Sequence, residues 1–534
     1  MSSRNFLKGA FILSIAGIIV KIMGALYRIP LARLIGGEGI GLYQMAYPIY
    51  TMLLALSTAG IPVAISILVS EKRSRNDDQG AKRVFLVSLS ILAVVGLLFT
   101  LLLVLSSKWL AAYVLFDTRA FYALIAVAPA ILVTAISSAF RGYFQGNQTM
   151  VPTALSQVVE QFIRVATVLA LAYIFLPRGI EFAAAGAAFG AVTGSLAALF
   201  VLVVAYISFR NKRQKNNPFS LTSIYDVEPI ISLTKRIVAL ALPISIGGLV
   251  VPIMQVVDAT IIPTRLQDAG HSIARATELF GQFSGMANVL INLPPIITIS
   301  IAVSLVPAIS EAMAKNQIEE ARYRINLAMW MTFLIGLPAS AGLFILAAPI
   351  AEMLFKIPEV GQSIAVLAPS ALLLGLYQTT RGALQGLGKT YLPVINLTVG
   401  IIIKGSLNYI LVGIPTLGII GAGIATVTGF TASVLLNYYH VKKHTGFKMN
   451  WKRNVTIPLI CTTLMAILAF LVYDLAVEPL GNTLSVVIAI TAGILVYSFS
   501  LLFLGGVKVR DLNTIPKIGP RIARFLTRLK IFKV

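Results

Sequence analysis

The segment Arg141-Gly142-Tyr143-Phe144-Gln145-Gly146 returns 240 positions later as Arg381-Gly382-Ala383-Leu384-Gln385-Gly386. The same offset lays Ser70-Glu71 on Ser310-Glu311, Gly96-Leu97 on Gly336-Leu337 and Ala128-Pro129 on Ala368-Pro369, and it carries the basic Arg164 onto Lys404. One match would be chance, but a run of about ninety residues in a single ungapped register is a duplication.

What is duplicated is a set of membrane spans. Of 534 residues, 57% are hydrophobic and 12% charged, with a mean hydropathy of +0.88, which is too apolar for a soluble core. Apolar stretches of about twenty residues recur along the chain, each long enough to cross a hydrocarbon core of roughly 30 Å as a helix. Fourteen are predicted, at 7–28, 45–69, 84–106, 121–140, 152–176, 183–208, 236–260, 284–309, 325–347, 363–380, 390–412, 418–440, 454–474 and 483–505. The fourth and tenth have the least distinct flanks. No small-residue cleavage site precedes Arg28, so the first is expected to be retained rather than cleaved as a signal peptide. The single cysteine, Cys461, argues against a disulfide framework or a thiol mechanism.

The offset carries span two onto eight, four onto ten and five onto eleven. Each copy therefore holds six spans, and an even number keeps both copies in one orientation. The fold expected is an all-α integral membrane protein: two parallel six-helix lobes related by an axis along the membrane normal, plus two extra C-terminal helices. A substrate path would run at the interface of the lobes; a duplicated scaffold without transport is the plainer alternative. The domains expected are lobes over 1–215 and 216–445, a helix pair over 446–507 and a basic cytoplasmic tail over 508–534. In that tail Ile522, Phe525, Leu526 and Leu529 oppose Arg521, Arg524, Arg528 and Lys530, as in an amphipathic helix on an anionic leaflet.

The net charge of +23 invites a nucleic-acid reading, but its distribution follows topology. Alternate loops and the two ends hold about 32 Lys and Arg against about 7 in the opposite loops, which places both termini in the cytoplasm of a multi-pass cell-membrane protein.

Ionisable groups inside spans are costly and each is a functional candidate. Lys21 and Arg28 are seven residues apart, about two turns along one helix face; anchoring of Arg28 at the outer headgroups is the alternative. Span five holds Gln157, Glu160, Gln161 and Arg164, with Glu160 and Arg164 at ion-pair spacing. Its repeat mate offers Asn396, Thr398, Lys404 and Asn408 with no carboxylate in helical reach of Lys404. Span seven contributes Gln255 and Asp258. Span eight contributes Asn288 and Asn292 before Pro294-Pro295, where a break is expected. Such polar groups also serve as interhelical glue. Deep cations outnumber deep anions, so a cavity lined by them favours an anionic cargo, and pyrophosphate suits Arg and Lys well. The Arg141 and Arg381 motifs, with Gln145 and Gln385, read as tight turns carrying an interfacial arginine, or else as a latch between the lobes.

Gly17, Lys21-Ile22-Met23-Gly24-Ala25-Leu26-Tyr27-Arg28-Ile29-Pro30-Leu31-Ala32-Arg33 and Gly37-Glu38-Gly39-Ile40-Gly41-Leu42-Tyr43-Gln44 carry a resemblance over essentially the whole chain. They resemble the stage V sporulation protein B and YtgP branch of the Gram-positive polysaccharide exporters, grouped with the lipid II flippase MurJ in the multidrug/oligosaccharidyl-lipid/polysaccharide exporter superfamily. The resemblance implies a central V-shaped cavity open alternately to each side and an extra helix pair forming a groove for a lipid tail. It implies that Lys21 and Arg28 hold a lipid II pyrophosphate. Some relatives bind sodium through spans seven and eleven; Asp258 and Asn396 match that pattern, but Gly400 stands where a second acid is expected. No cofactor or resident metal is expected, and membrane potential or a coupling cation would drive the cycle.

The expected function is that of a flippase moving lipid II, the undecaprenyl-pyrophosphate-linked peptidoglycan precursor, from the inner to the outer leaflet, with no bond made or broken. Its partners would be membrane lipids and cell-wall synthesis or division proteins, with no nucleic acid. Rival readings are a flippase for another lipid-linked polysaccharide unit, a multidrug exporter, and a membrane glycosyltransferase. The exporter would call for twelve spans and an acidic cavity. The glycosyltransferase would need an acidic constellation at a membrane surface, and the outer loops are short with scattered acids.

Overall fold

The computed structural model describes residues 3–58, 60–216 and 228–506; the amphipathic tail expected after Pro520 lies outside the described residues. Within those residues all regular structure is helical, as lipid demands of a chain that must satisfy its own backbone hydrogen bonds. Eleven helical runs are long and apolar enough to cross a membrane, and twelve if one pair bent by 40° at 360–386 counts as a single span. The chain is thus a multi-span membrane protein.

Two of those runs, 15–74 and 452–503, are 60 and 52 residues long, far beyond the roughly 20 residues of one crossing. Each is interrupted by a glycine in a left-handed conformation, Gly36 (φ 65°, ψ −174°) and Gly481 (φ 73°, ψ 165°), where a Cβ would be strained. The chain turns at both.

By contact density the chain divides into two compact units, Met1–Met286 and Ala287–Val534. The first contains α1 (Ser3–Leu26), α2 (Arg28–Thr58), α3 (Ile61–Ser74), α4 (Asp78–Trp109), α5 (Ala120–Val127), α6 (Pro129–Gly146), α7 (Val151–Phe175), α8 (Ile180–Asn216), α9 (Ile230–Asp268) and α10 (Ile273–Phe280). After a π-helical stretch at Gly281–Ala287, the second contains α11 (Asn288–Ile291), α12 (Pro295–Ala314), α13 (Ile318–Ile345), α14 (Ala347–Phe355), α15 (Val360–Leu367), α16 (Pro369–Gly386), α17 (Tyr391–Leu411), α18 (Gly418–Thr445) and α19 (Ile457–Phe503). Duplication assigns α9 and α10 to the second copy, yet they pack on α2 and α3 and so join the first compact unit.

The 240-residue offset holds in three dimensions. α5 and α15, and likewise α6 and α16, start and stop 240 residues apart. Left-handed residues recur in register: Asn76 and Asn316, Phe116 and Lys356, Gln148 and Gly388. The indistinct fourth and tenth spans are explained by Pro129 and Pro369, which open α6 and α16 after a break at Ala128 and Ala368, since proline cannot donate into a preceding turn. The break expected at Pro294-Pro295 separates α11 from α12.

One expectation is corrected. The Arg-Gly-x-x-Gln-Gly motifs are not turns: 141–146 and 381–386 are the last residues of α6 and α16, and left-handed Gln148 and Gly388 turn the chain after them. The motif glycines serve packing instead. A Cβ on Gly142 would stand 2.7 Å from Pro62 O, and one on Gly382 would stand 2.7 Å from Ala302 O, so α6 lies against the backbone of α3 and α16 against that of α12.

Candidate functional site

Arg141 on α6 and Arg164 on α7 meet at one carboxylate. Arg141 Nη2 donates to Glu160 Oε2 at 2.7 Å, and Arg164 Nη2 donates to Glu160 Oε1 at 2.6 Å. Helical periodicity accounts for the second bond, while the first requires α6 to lie beside α7. Arg141 Nε also donates to Ser156 Oγ at 3.3 Å. The three charged side chains are only 14–15% exposed, so their mutual neutralisation offsets much of the desolvation cost of burying ions. From the other side, α8 closes on α7 through Gly194, whose Cβ would lie 2.8 Å from Glu160 O and 2.9 Å from Arg164 Cβ.

A tyrosine stripe extends this cluster. Tyr43, Tyr47 and Tyr50 fall on one face of α2 at i, i+4 and i+7. Tyr43 and Tyr47 stack at 5.4 Å between centroids, and Tyr47 meets Tyr50 at 5.7 Å. Tyr43 and Tyr50 are buried and Tyr47 is half-buried. Arg164 lies within electrostatic reach of all three. Arg28, the first residue of α2, is half-buried within reach of Tyr27, Tyr43 and Tyr47, and the Tyr27 and Tyr43 hydroxyls share a hydrogen bond of 3.2 Å. Two arginines therefore border the same pair of rings, and each carries a buried Nε with no hydrogen-bond partner, Arg28 Nε and Arg164 Nε. Buried donors are normally satisfied, so these two depart from the ordinary pattern and single out the arginines beside the stripe. The i, i+4, i+7 spacing of these tyrosines is the signal by which the sequence marks them.

The remaining residues singled out from sequence are placed as follows. Lys21 on α1 is exposed, and α1 ends at Leu26, two residues before Arg28. Gln161 is buried and abuts Gly24 of α1. Gln145 is half-buried and Gln255 exposed, while Asp258 is half-buried on α9. Asn288 accepts from Asn292 Nδ2 through its side-chain oxygen at 3.0 Å.

In the second unit Arg381 is exposed and Gln385 half-buried. Asn396 is buried and donates through Nδ2 to Asn437 Oδ1 at 2.8 Å, with His440 Nδ1 3.1 Å away. Asn437 donates in turn to Thr380 Oγ1 at 3.3 Å. Lys404 is buried. Gly400, the mate of Glu160, has no room for a side chain: a Cβ there would lie 2.0 Å from Ser433 Oγ and 2.5 Å from Gly429 O. Among the described residues no three His, Cys, Asp or Glu side chains cluster closely enough to hold a metal ion.

Two polar networks bracket the first unit. In the loop before α5, buried Asp117 accepts from Arg119 Nη2 at 2.8 Å and from Thr277 Oγ1 of α10 at 2.8 Å, and Arg119 also pairs with Glu38. The hydrogen bond to Asp117 raises the pKa of Arg119, working with Glu38 against partial burial. Nearby, a Cβ on Gly41 would fall 2.0 Å from Thr277 O and one on Gly281 2.0 Å from Gly37 O; the glycine-rich start of the second span is therefore what admits α10. At the other end, Glu228 pairs with Arg236 at 3.3 Å and Lys72 at 3.4 Å, and Arg236 reaches Glu71 at 2.8 Å. Burial pushes the Glu228 carboxyl up, but the two cations outweigh it and hold its pKa below the ordinary value.

Comparison with known proteins agrees with this architecture. Residues 6–313 match the family described as polysaccharide biosynthesis protein, and 284–410 match the MatE family. Stage V sporulation protein B of Bacillus subtilis (strain 168) is 34% identical over 528 residues, covering 98% of this chain and all of its own length. Lipid II flippase MurJ of the same organism is 28% identical, covering 87% of this chain and 88% of its own. A solved structure of lipid II flippase MurJ in an inward closed conformation superposes with a TM-score of 0.66 at 19% identity, over 92% of this chain and 98% of that one, which establishes a common fold. With its duplicated spans, its fold and a family match over more than half its length, the chain belongs to the polysaccharide biosynthesis protein family.

Proposed function

We propose that the chain is a flippase of the plasma membrane that carries lipid II from the inner to the outer leaflet by alternating access. The observation that carries this reading is the pair of buried, unsatisfied Nε donors on Arg28 and Arg164 beside one tyrosine stripe. Guanidinium forks fit phosphate oxygens bidentately, and a low-dielectric wall strengthens that grip. Lys21, Lys404, Gln255, Asp258, Asn288 and Asn396 are proposed to line the remainder of the path.

Counting each long run broken at Gly36 and Gly481 as two crossings, and the bent pair as one, makes fourteen. In that topology both termini are cytoplasmic, and two parallel six-helix lobes over 1–215 and 216–445 precede the helix pair over 446–507. The packing of Gly37 and Gly41 on Thr277 and Gly281 then lies at the outer end, where it must part to release cargo. A flippase for another lipid-linked polysaccharide unit is the second reading, favoured by the higher identity to stage V sporulation protein B than to MurJ. The deciding experiment depletes the protein in cells lacking other lipid II flippases and measures lipid II on the outer leaflet. Exposure is expected to fall; unchanged exposure overturns the lipid II assignment.

A further inference from the structure

Resting on that reading, we propose that Glu160 is a built-in counter-anion: it holds the phosphate-binding face of Arg164 while the carrier is empty and yields it to the cargo. The geometry is that of a substitute for phosphate. Each carboxylate oxygen takes one guanidinium, Oε1 from Arg164 and Oε2 from Arg141, so the group bridges two arginines through separate oxygens, as a phosphate also can.

The two arginines are not equivalent. Arg164 lies within electrostatic reach of the tyrosine stripe shared with Arg28 and carries a buried Nε without a hydrogen-bond partner. Arg141 stands on α6, tied to Ser156. An anion arriving between Arg28 and Arg164 thus competes with Glu160 for one arginine only. The displaced carboxylate stays paired with Arg141, so cargo entry never strands a buried negative charge, the costly outcome for a broken ion pair. On release Glu160 takes Arg164 back, leaving a site with low residual affinity. The duplicate site lacks this device, because Gly400 admits no side chain beside Ser433.

A brace that only ties α6 to α7 makes the opposite prediction for binding, and this separates the two. Wild type, Glu160→Gln and Glu160→Asp are reconstituted in nanodiscs and titrated with undecaprenyl pyrophosphate, and outer-leaflet lipid II is measured in cells. Removing a charge-assisted competitor should tighten Glu160→Gln binding about tenfold while slowing transport, with Glu160→Asp between it and wild type. Equal or weaker binding by Glu160→Gln overturns the inference and leaves the cargo reading intact. Should Glu160→Gln fail to reach the membrane, Glu160→Asp decides, and affinity equal to wild type overturns it. No binding by wild type itself removes the pyrophosphate reading, and this inference with it.

Discussion

Residues 141–164 and 381–404 are two versions of the same object. Both run from the end of one helix, through a left-handed turn residue, along the next helix to a cation at its middle. Both use a motif glycine against an earlier helix, α3 or α12, and in both the following helix closes through a glycine, Gly194 onto Arg164 and Gly429 onto Lys404. The chemistry nonetheless differs. The first copy sets a carboxylate between two arginines, and the second sets a glycine between an exposed arginine and a buried lysine. Interhelical packing constrains the positions that touch backbone, so those survive duplication. The exception is the Glu160 position, whose mate Gly400 is itself pressed against the Gly429 backbone.

The largest effect should come from the side of the comparison that holds the site. Arg164→Ala and Arg28→Ala should each reduce complementation by about a hundredfold or more at normal membrane abundance, because each deletes a charged anchor for the cargo. Arg141→Ala should be milder, and parity of all three would erase the distinction drawn between Arg164 and Arg141. If full activity persisted in both Arg28→Ala and Arg164→Ala, the first copy would not be the phosphate site.

The copies should also respond oppositely to volume. Gly400→Ala forces a Cβ into Ser433 and should cost about 1–3 kcal/mol by overpacking, read as a lower melting temperature in detergent. Its mate Glu160→Ala removes no close contact, since the seam's closest approach is made by Gly194, and its stability loss comes instead from two buried arginines left without their carboxylate. A melting temperature unchanged by Gly400→Ala would mean that α17 and α18 are not held as close as described.

A smaller effect is expected at the stripe. Tyr47→Phe should change transport by less than about threefold, since its ring stacks on Tyr43 and packs tilted against Tyr50, whereas Tyr47→Ala should lower it by about tenfold. Similar losses for both would assign the role to the hydroxyl.

The smallest lies at the edge of the first unit. The folded pKa of Glu228 is held below its ordinary 4.5, so the stability it contributes is present above about pH 4.5 and is lost as pH falls through the lowered folded value. Glu228→Gln should lower the melting temperature by about 1 °C at neutral pH, the scale of a solvent-screened ion pair, and make the acid limb shallower. An acid limb of unchanged steepness would show that other carboxylates dominate it.

Much of this was legible in the residues. Span positions followed from hydropathy, breaks at Ala128-Pro129 and Pro294-Pro295 from proline, the duplication from its ungapped register, and the Glu160 and Arg164 pair from helical spacing. The motif at 141–146 was misread as a turn because glycine marks both chain reversals and close helix packing, and nothing local distinguishes the two. The tyrosine stripe is not distinctive in sequence, because aromatic residues at helical spacing on a membrane helix ordinarily face neighbours or lipid.

Sequence alone determined what each helix carries on each face, since a 3.6-residue period sets neighbours within a helix regardless of surroundings. Only tertiary structure decided that Arg141 shares Glu160, that Arg28 and Arg164 border the same rings, and that Gly400 leaves no space for an acid. Those relations depend on which helices touch and how closely, and that distance is set by small residues far apart along the chain.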